Sequence, residues 1–128
     1  MFDLENFKWN KPQAQGTAPD ARSFHAYTLI DVRKVTQGKP KMAIFGGYTE
    51  RGFTNDLFLY DLIEQKWEKP IVLYEKNADL PTSRQGASLF YALERLWLFG
   101  GFSSGVYYNN MYSYELSTST WKDITSEI

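Results

Sequence analysis

Met42-Ala-Ile-Phe-Gly-Gly-Tyr48 and Leu96-Trp-Leu-Phe-Gly-Gly-Phe102 decide the fold of this chain. Each is a short apolar run that ends in a double glycine followed by an aromatic residue. Gly46 and Gly100 stand 54 positions apart. The same offset carries Asn55-Asp-Leu-Phe-Leu-Tyr-Asp-Leu62 onto Asn109-Asn-Met-Tyr-Ser-Tyr-Glu-Leu116, and Trp67 onto Trp121. Several residue types holding one offset mark an internal repeat. A repeat on the order of 50 residues is a supersecondary unit that buries its apolar face on its neighbours.

Upstream of each double glycine, Pro19-Asp-Ala-Arg22 corresponds to Pro81-Thr-Ser-Arg84 at an offset of 62. The extra distance lies in a longer connection around Val32–Lys41, a cheap change in a surface loop. Between these landmarks the pattern predicts four strands per repeat, a to d. Strand a is Ser23–Asp31 or Gln85–Leu93, and strand b is Lys41–Phe45 or Arg95–Phe99. Strand c is Leu57–Asp61 or Met111–Glu115, and strand d is Lys66–Lys69 or Thr120–Ile124. Turn-forming residues separate the runs, and no sustained 3.6-residue apolar period competes with them.

A third, partial copy opens the chain. Phe2-Asp-Leu-Glu-Asn-Phe-Lys-Trp-Asn-Lys-Pro12 matches Tyr60-Asp-Leu-Ile-Glu-Gln-Lys-Trp-Glu-Lys-Pro70 at a constant offset of 58. Residues 1–12 therefore read as strands c and d without their a and b partners. Full repeats follow at 19–70 and 81–125.

Composition agrees with a packed β-protein. Of 128 residues, 43% are hydrophobic and 17% aromatic, too apolar for disorder. Aromatic side chains fit pleated sheet surfaces. A net charge of −1 argues against general affinity for nucleic acid or anionic lipid, which needs a positive excess. The one basic cluster, Arg33, Lys34, Lys39 and Lys41, reads as a solvated hairpin tip. The absence of cysteine excludes disulfides, thiolate nucleophiles and Cys-based zinc sites. The acidic start lacks a signal-peptide layout, and no apolar run reaches membrane-spanning length. A cytoplasmic or nuclear protein is expected.

The sequence Pro-x-x-Arg, strand, Phe-Gly-Gly, loop, Asn, strand with Tyr-Asp-Leu or Tyr-Glu-Leu, then Trp, resembles the Kelch repeat over nearly the whole chain. The resemblance implies an all-β fold: a partial Kelch β-propeller of two four-stranded antiparallel blades plus an N-terminal c–d strand pair. Gly46, Gly47, Gly100, Gly101, Trp67 and Trp121 are expected to be structural. Closed propellers hold about 4 to 8 blades. An open arc of this size is expected to be a segment of a larger propeller, a unit that closes by homo-oligomerisation, or a partner in a blade completed by another chain.

Chemistry is sparse. His25 is the sole histidine and has no evident ligand set around it. Galactose oxidase is similar in blade architecture, but its copper chemistry uses a cysteine-linked tyrosine and histidines. No cofactor or metal is expected. The resemblance implies a non-catalytic module that binds a protein or acidic peptide through its b–c loops, Tyr48–Thr54 and Phe102–Tyr108, and its d–a loops, Gln13–Arg22 and Ile71–Arg84. Arg22 and Arg84 close the d–a loops and resemble arginines that grip acidic motifs in adaptor Kelch domains. Arg51, Phe53, Tyr107 and Tyr108 are the contact candidates on the b–c tips, since exposed aromatics and arginine make typical anchors. A sugar-processing propeller enzyme and a self-assembling structural unit are the competing readings.

Overall fold

The computed structural model describes residues 1–31 and 39–128. Most of the long Val32–Lys41 connection, with Arg33 and Lys34, lies outside the described residues. The chain forms β1 (Phe2–Asp3), β2 (Lys8–Trp9), β3 (Ala26–Ile30), β4 (Lys41–Thr49), β5 (Gly52–Asp61), β6 (Lys66–Glu68) and β7 (Leu73–Tyr74). It continues through β8 (Ser88–Ala92), β9 (Arg95–Phe99), β10 (Phe102–Ser103), β11 (Val106–Tyr107), β12 (Met111–Glu115) and β13 (Thr120–Asp123). Two 3-10 turns, Asn77–Asp79 and Thr125–Glu127, complete it.

Strands β3-β4-β5-β6 form one antiparallel sheet, and β8-β9-β12-β13 form the second in the same order. β1 and β2 pair alone, as the orphan c–d pair. The register repeats with the sequence: Phe2 faces Trp9, Tyr60 faces Trp67, and Tyr114 faces Trp121. The turns between these strands repeat too. Phe7, Gln65 and Ser119, successive equivalents, are all left-handed with φ near 50–60°.

The second sheet carries a strand that the sequence did not announce. β7 lies in the d–a linker and pairs in parallel with β13, so this sheet has five strands. In the first sheet the equivalent linker makes a single parallel bridge, Gln15 to Lys66. The physical reason is the path. A linker leaving the outer strand of one sheet must pass the outer edge of the next, where unpaired backbone groups accept it. Leu73 N–H donates to the Ser119 carbonyl at 2.8 Å, as Gln15 N–H does to Gln65.

The core lies between the two sheets. Ala26, Ala43, Phe45, Leu57 and Leu59 of the first meet Leu89, Leu96, Leu98, Tyr112, Tyr114 and Trp121 of the second. Trp121 is 1% exposed and meets the edge of Phe45 at 5.5 Å. Burying such a ring removes about 200 Å² from water, a gross gain on the order of 5 kcal/mol. Trp9, its counterpart in the orphan pair, is 80% exposed and gains little of this.

Backbone hydrogen bonds close the seam at the rim. Gly47 N–H donates to the Arg84 carbonyl at 2.9 Å, and Arg84 N–H donates to the Thr54 carbonyl at 3.1 Å. Gly86 N–H donates to the Phe24 carbonyl at 2.9 Å. Asn55 adds a side-chain bond, Nδ2 to the Pro81 carbonyl at 3.0 Å. The double glycine makes this approach possible. Gly46 has φ +66°, and a Cβ there would lie 2.5 Å from the Arg84 carbonyl oxygen.

Candidate functional site

The two b–c connections are hairpins rather than open loops. In the first, β4 and β5 stay paired to Thr49 and Gly52, leaving Glu50-Arg51 as the turn. In the second, β10 and β11 pair around Ser104-Gly105. Each hairpin is tied to the entry of strand a: Ser23 and Tyr48 exchange backbone bonds, as do Gln85 and Phe102. The seam between the sheets then sets the hairpins side by side.

This arrangement lines up four rings. Tyr48 meets Phe53 at 5.1 Å, Phe53 meets Phe102 of the other sheet at 6.1 Å, and Phe102 meets Tyr107 at 4.9 Å. All lie in the centroid range of favourable aromatic pairs. Phe53 and Phe102 are half-buried, whereas Tyr48 and Tyr107 are exposed at the two ends. Phe24 stands exposed nearby and helps to line a cleft of about 540 Å³ with Gln85, Phe99, Phe102 and Tyr107. Among the described residues no charged side chain lines that cleft. Arg51 projects at the edge of the row, its side chain 86% exposed and its Nε 3.8 Å from the Asp20 carboxylate.

Tyr108 is half-buried and also lines the cleft, whereas Arg22 and Arg84 are turned into their own sheets. Arg84 is 1% exposed and its donors are spent inside its own sheet: Nε on the Thr82 carbonyl at 3.0 Å, and Nη1 on the Gly100 carbonyl at 3.1 Å and on Asn110 Oδ1 at 2.8 Å. Its guanidinium lies over the Tyr108 ring, 4.0 Å from the centroid. Arg22 repeats the pattern with Nε on the Asp20 carbonyl, Nη1 on the Gly46 carbonyl and an ion pair to Asp56. In this structure both guanidinium groups brace their own sheet. Each fastens the d–a loop to the double glycine and strand c of its own sheet. Tyr108 hydrogen-bonds Ser103 at 2.8 Å, and this contact, with Thr82 and Arg84 nearby, holds its phenol below the ordinary range against the opposing effect of burial.

Two repeated sheets, each braced by its own Pro-x-x-Arg and joined at a double glycine, match the KLHDC2/KLHL20/DRC7 Kelch-repeats domain over residues 1–127. The chain belongs to the Kelch-repeat family. Kelch repeat-containing protein 2 of Saccharomyces cerevisiae is 27% identical over 124 residues, covering 93% of this chain and 13% of that protein. The Rab9 effector protein with kelch motifs of Xenopus laevis is 27% identical over 108 residues, covering 81% and 26%. Host cell factor of Drosophila melanogaster is 29% identical over 114 residues, covering 79% and 7%. The chain therefore spans a minor part of the length of these curated relatives.

Within the Kelch repeat, Tyr48 and Phe102 open the two b–c loops named from the sequence but were not singled out there as contact candidates. Their signal was the aromatic after each double glycine, which was used to mark the repeat. His25 stands exposed before β3, its ring 6.3 Å from Tyr27. Among the described residues no group of three His, Asp or Glu side chains is placed to hold a metal. Of the basic cluster, Lys39 pairs with Glu64 at 2.6 Å and Lys41 with Glu68 at 2.7 Å.

Proposed function

We propose that this chain is a non-catalytic protein-interaction module that meets its partner along the b–c rim. The observation that carries the reading is the row Tyr48–Phe53–Phe102–Tyr107, which crosses both sheets and is exposed at its ends. Rigid aromatic rings with few rotatable bonds lose little entropy on contact and give large apolar area, the usual makeup of an interface anchor. The half-buried Phe53 and Phe102 hold Tyr48 and Tyr107 in place. Kelch-family membership supports the reading, since relatives such as host cell factor and the Rab9 effector with kelch motifs suggest interaction modules.

Of the three arginines weighed for an acidic peptide, Arg51 is the one whose side chain is exposed, at 86%, and its only ion pair among the described residues is the long, exposed one to Asp20. Partner capture therefore rests on the aromatic row, with Arg51 favouring acidic residues beside it. A cytoplasmic or nuclear setting fits this reading and the cysteine-free composition. The test is affinity capture with the wild-type chain and with Tyr48→Ser/Tyr107→Ser. Proteins held by the wild type are expected to be lost from the double variant at unchanged melting temperature. Capture of the same proteins by both chains would refute the rim.

A further inference from the structure

The two arginine braces differ in charge. Pro81-Thr82-Ser83-Arg84 repeats Pro19-Asp20-Ala21-Arg22, so Thr82 takes the place of Asp20. At the strand c offset of 54, Asn110 takes the place of Asp56. At these positions the first brace carries two carboxylates and the second carries none. Arg22 closes an ion pair on Asp56. Arg84 is 1% exposed and meets neutral oxygens instead: the Thr82 and Gly100 carbonyls, Asn110 Oδ1 and Thr82 Oγ1. Among the described residues no carboxylate pairs with it. A buried charge is ordinarily paired, because neutral dipoles replace its lost hydration only in part.

Thr82 connects this guanidinium with the surface. It is exposed, on the irregular stretch between the Asn77–Asp79 turn and β8. Its Oγ1 accepts from Arg84 Nη2 at 3.1 Å. The Tyr108 phenol is a neighbour of the same hydroxyl and of Ser103. A negative oxygen at this place meets a cationic fork and a phenolic donor that are already in position.

We propose that Thr82 is a phosphorylation site, and that its phosphate supplies the counter-charge that Arg84 lacks. A protein kinase supplies the reaction with ATP. Thr82 Oγ1 attacks the γ-phosphorus, and the Oγ1–P bond forms as the bond from that phosphorus to the β–γ bridging oxygen breaks. ADP leaves, and the hydroxyl proton passes to the kinase's base. The product carries about −1.5 to −2 charges at neutral pH and three strong acceptor oxygens. Arg84 Nη2 already holds Oγ1, so the phosphoryl oxygens lie one atom beyond the group it grips. The first repeat shows that a negative side chain fits here. Asp20 occupies the place, exposed, with its carbonyl on Arg22 Nε as the Thr82 carbonyl is on Arg84 Nε. Ser83, the neighbouring hydroxyl, stands in the place of Ala21 and has no such acidic precedent. Modification tightens the second brace, which holds the d–a loop on the double glycine and strand c. The inference does not depend on the aromatic rim, because Thr82 and Arg84 are outside that row.

Two measurements test the acceptor and the pairing separately. The full chain is incubated with ATP in a eukaryotic cell lysate, recovered and cut with trypsin, and peptide 77–84 is sequenced by mass spectrometry. Phosphate is expected on Thr82 and is absent from Thr82→Ala. Phosphate on Ser83 instead, or none on this peptide, would overturn the proposal. For the pairing, phosphothreonine is encoded at position 82 of the full chain. The melting temperature should rise by about 4 °C. The 31P signal should titrate below the value of about 6 for a free phosphate monoester, because the guanidinium favours the dianion. In Asn110→Asp, which brings the carboxylate of the first brace into the second, the rise in melting temperature should be at least halved, since both anions share one guanidinium. A fall in melting temperature, an equal rise in both backgrounds, or an unshifted 31P titration would each overturn the pairing with Arg84.

Discussion

Asn55 reaches across the seam and donates to the carbonyl of Pro81, 3.0 Å away, fastening strand c of one sheet to the leading segment of the next. Pro81 is itself buried. Replacing Asn55 with Ala leaves its carbonyl without this donor, and a buried unpaired acceptor costs about 1–3 kcal/mol. The Asn55→Ala variant should lose that much in chemical denaturation. The same change at the exposed Asn109 should fall within about 0.5 kcal/mol in the free chain.

Trp121 and Trp9 occupy one place in the repeat and should respond in opposite ways. Trp121→Ala removes a ring packed between Phe45, Tyr112 and Tyr114 and should cost about 3–5 kcal/mol. Trp9→Ala removes a ring that is mostly in water and should cost well under 1 kcal/mol. Thermal melts of the two variants check the contrast.

Arg84 and Arg51 separate bracing from recognition. Arg84→Lys keeps the charge but cannot reproduce a fork shared between the Gly100 carbonyl, Asn110 and Thr82. It should lower stability by roughly 2 kcal/mol or more, as expected for a broken buried network. Arg51→Ala should leave the melt unchanged and weaken capture of acidic partners.

The a–b turn of the second sheet, Leu93-Glu94, has positive φ at both residues, 52° and 62°. This is the geometry of a type I′ hairpin turn, which Asn-Gly adopts with least strain. Leu93 is also exposed. Leu93→Asn with Glu94→Gly should therefore stabilise the chain by about 1 kcal/mol, read as a raised denaturation midpoint.

Asp61 gives the acid limb of stability. Burial works against its ionisation, but the N–H groups of Glu64 and Ile63 and the charges of Lys39 and Lys41 outweigh it and hold the carboxyl below its ordinary value of 3.8. A depressed carboxylate stabilises the fold above the unfolded pKa, and this stabilisation is lost as pH falls through the folded pKa. Stability should therefore decline below about pH 4. Asp61→Asn should flatten that part of the curve in denaturation series run from pH 5 downward.

The repeat offsets made the strand order legible, although strand a begins three residues later than expected, at Ala26 and Ser88, and β4 and β5 extend beyond their expected bounds to Thr49 and Gly52. Arg95–Phe99 and Met111–Glu115 are observed with the bounds that the pattern implies. Such strands announce themselves through local periodicity and turn residues. β7 did not, because Leu73-Tyr74 is a strand only by virtue of the edge it meets. The surroundings of the arginines were hidden for a related reason. Pro-x-x-Arg is visible as a motif, but whether its guanidinium faces a partner or Gly100 is settled by the folding-back of strand b, 16 positions later. Likewise, Phe53 and Phe102 lie far apart in sequence, and only the seam brings their rings to 6.1 Å.

β7 belongs by sequence to the exit of the first sheet and by hydrogen bonding to the outer edge of the second. It acts as a strap rather than a free tether. A force that separates the sheets must first shear β7 from β13 and extract the Tyr114 hydroxyl from the Ile71 carbonyl, 2.6 Å away. The two repeats are thereby mechanically interlocked. They should yield as one body on a single-molecule force trace, instead of opening like two beads on a string.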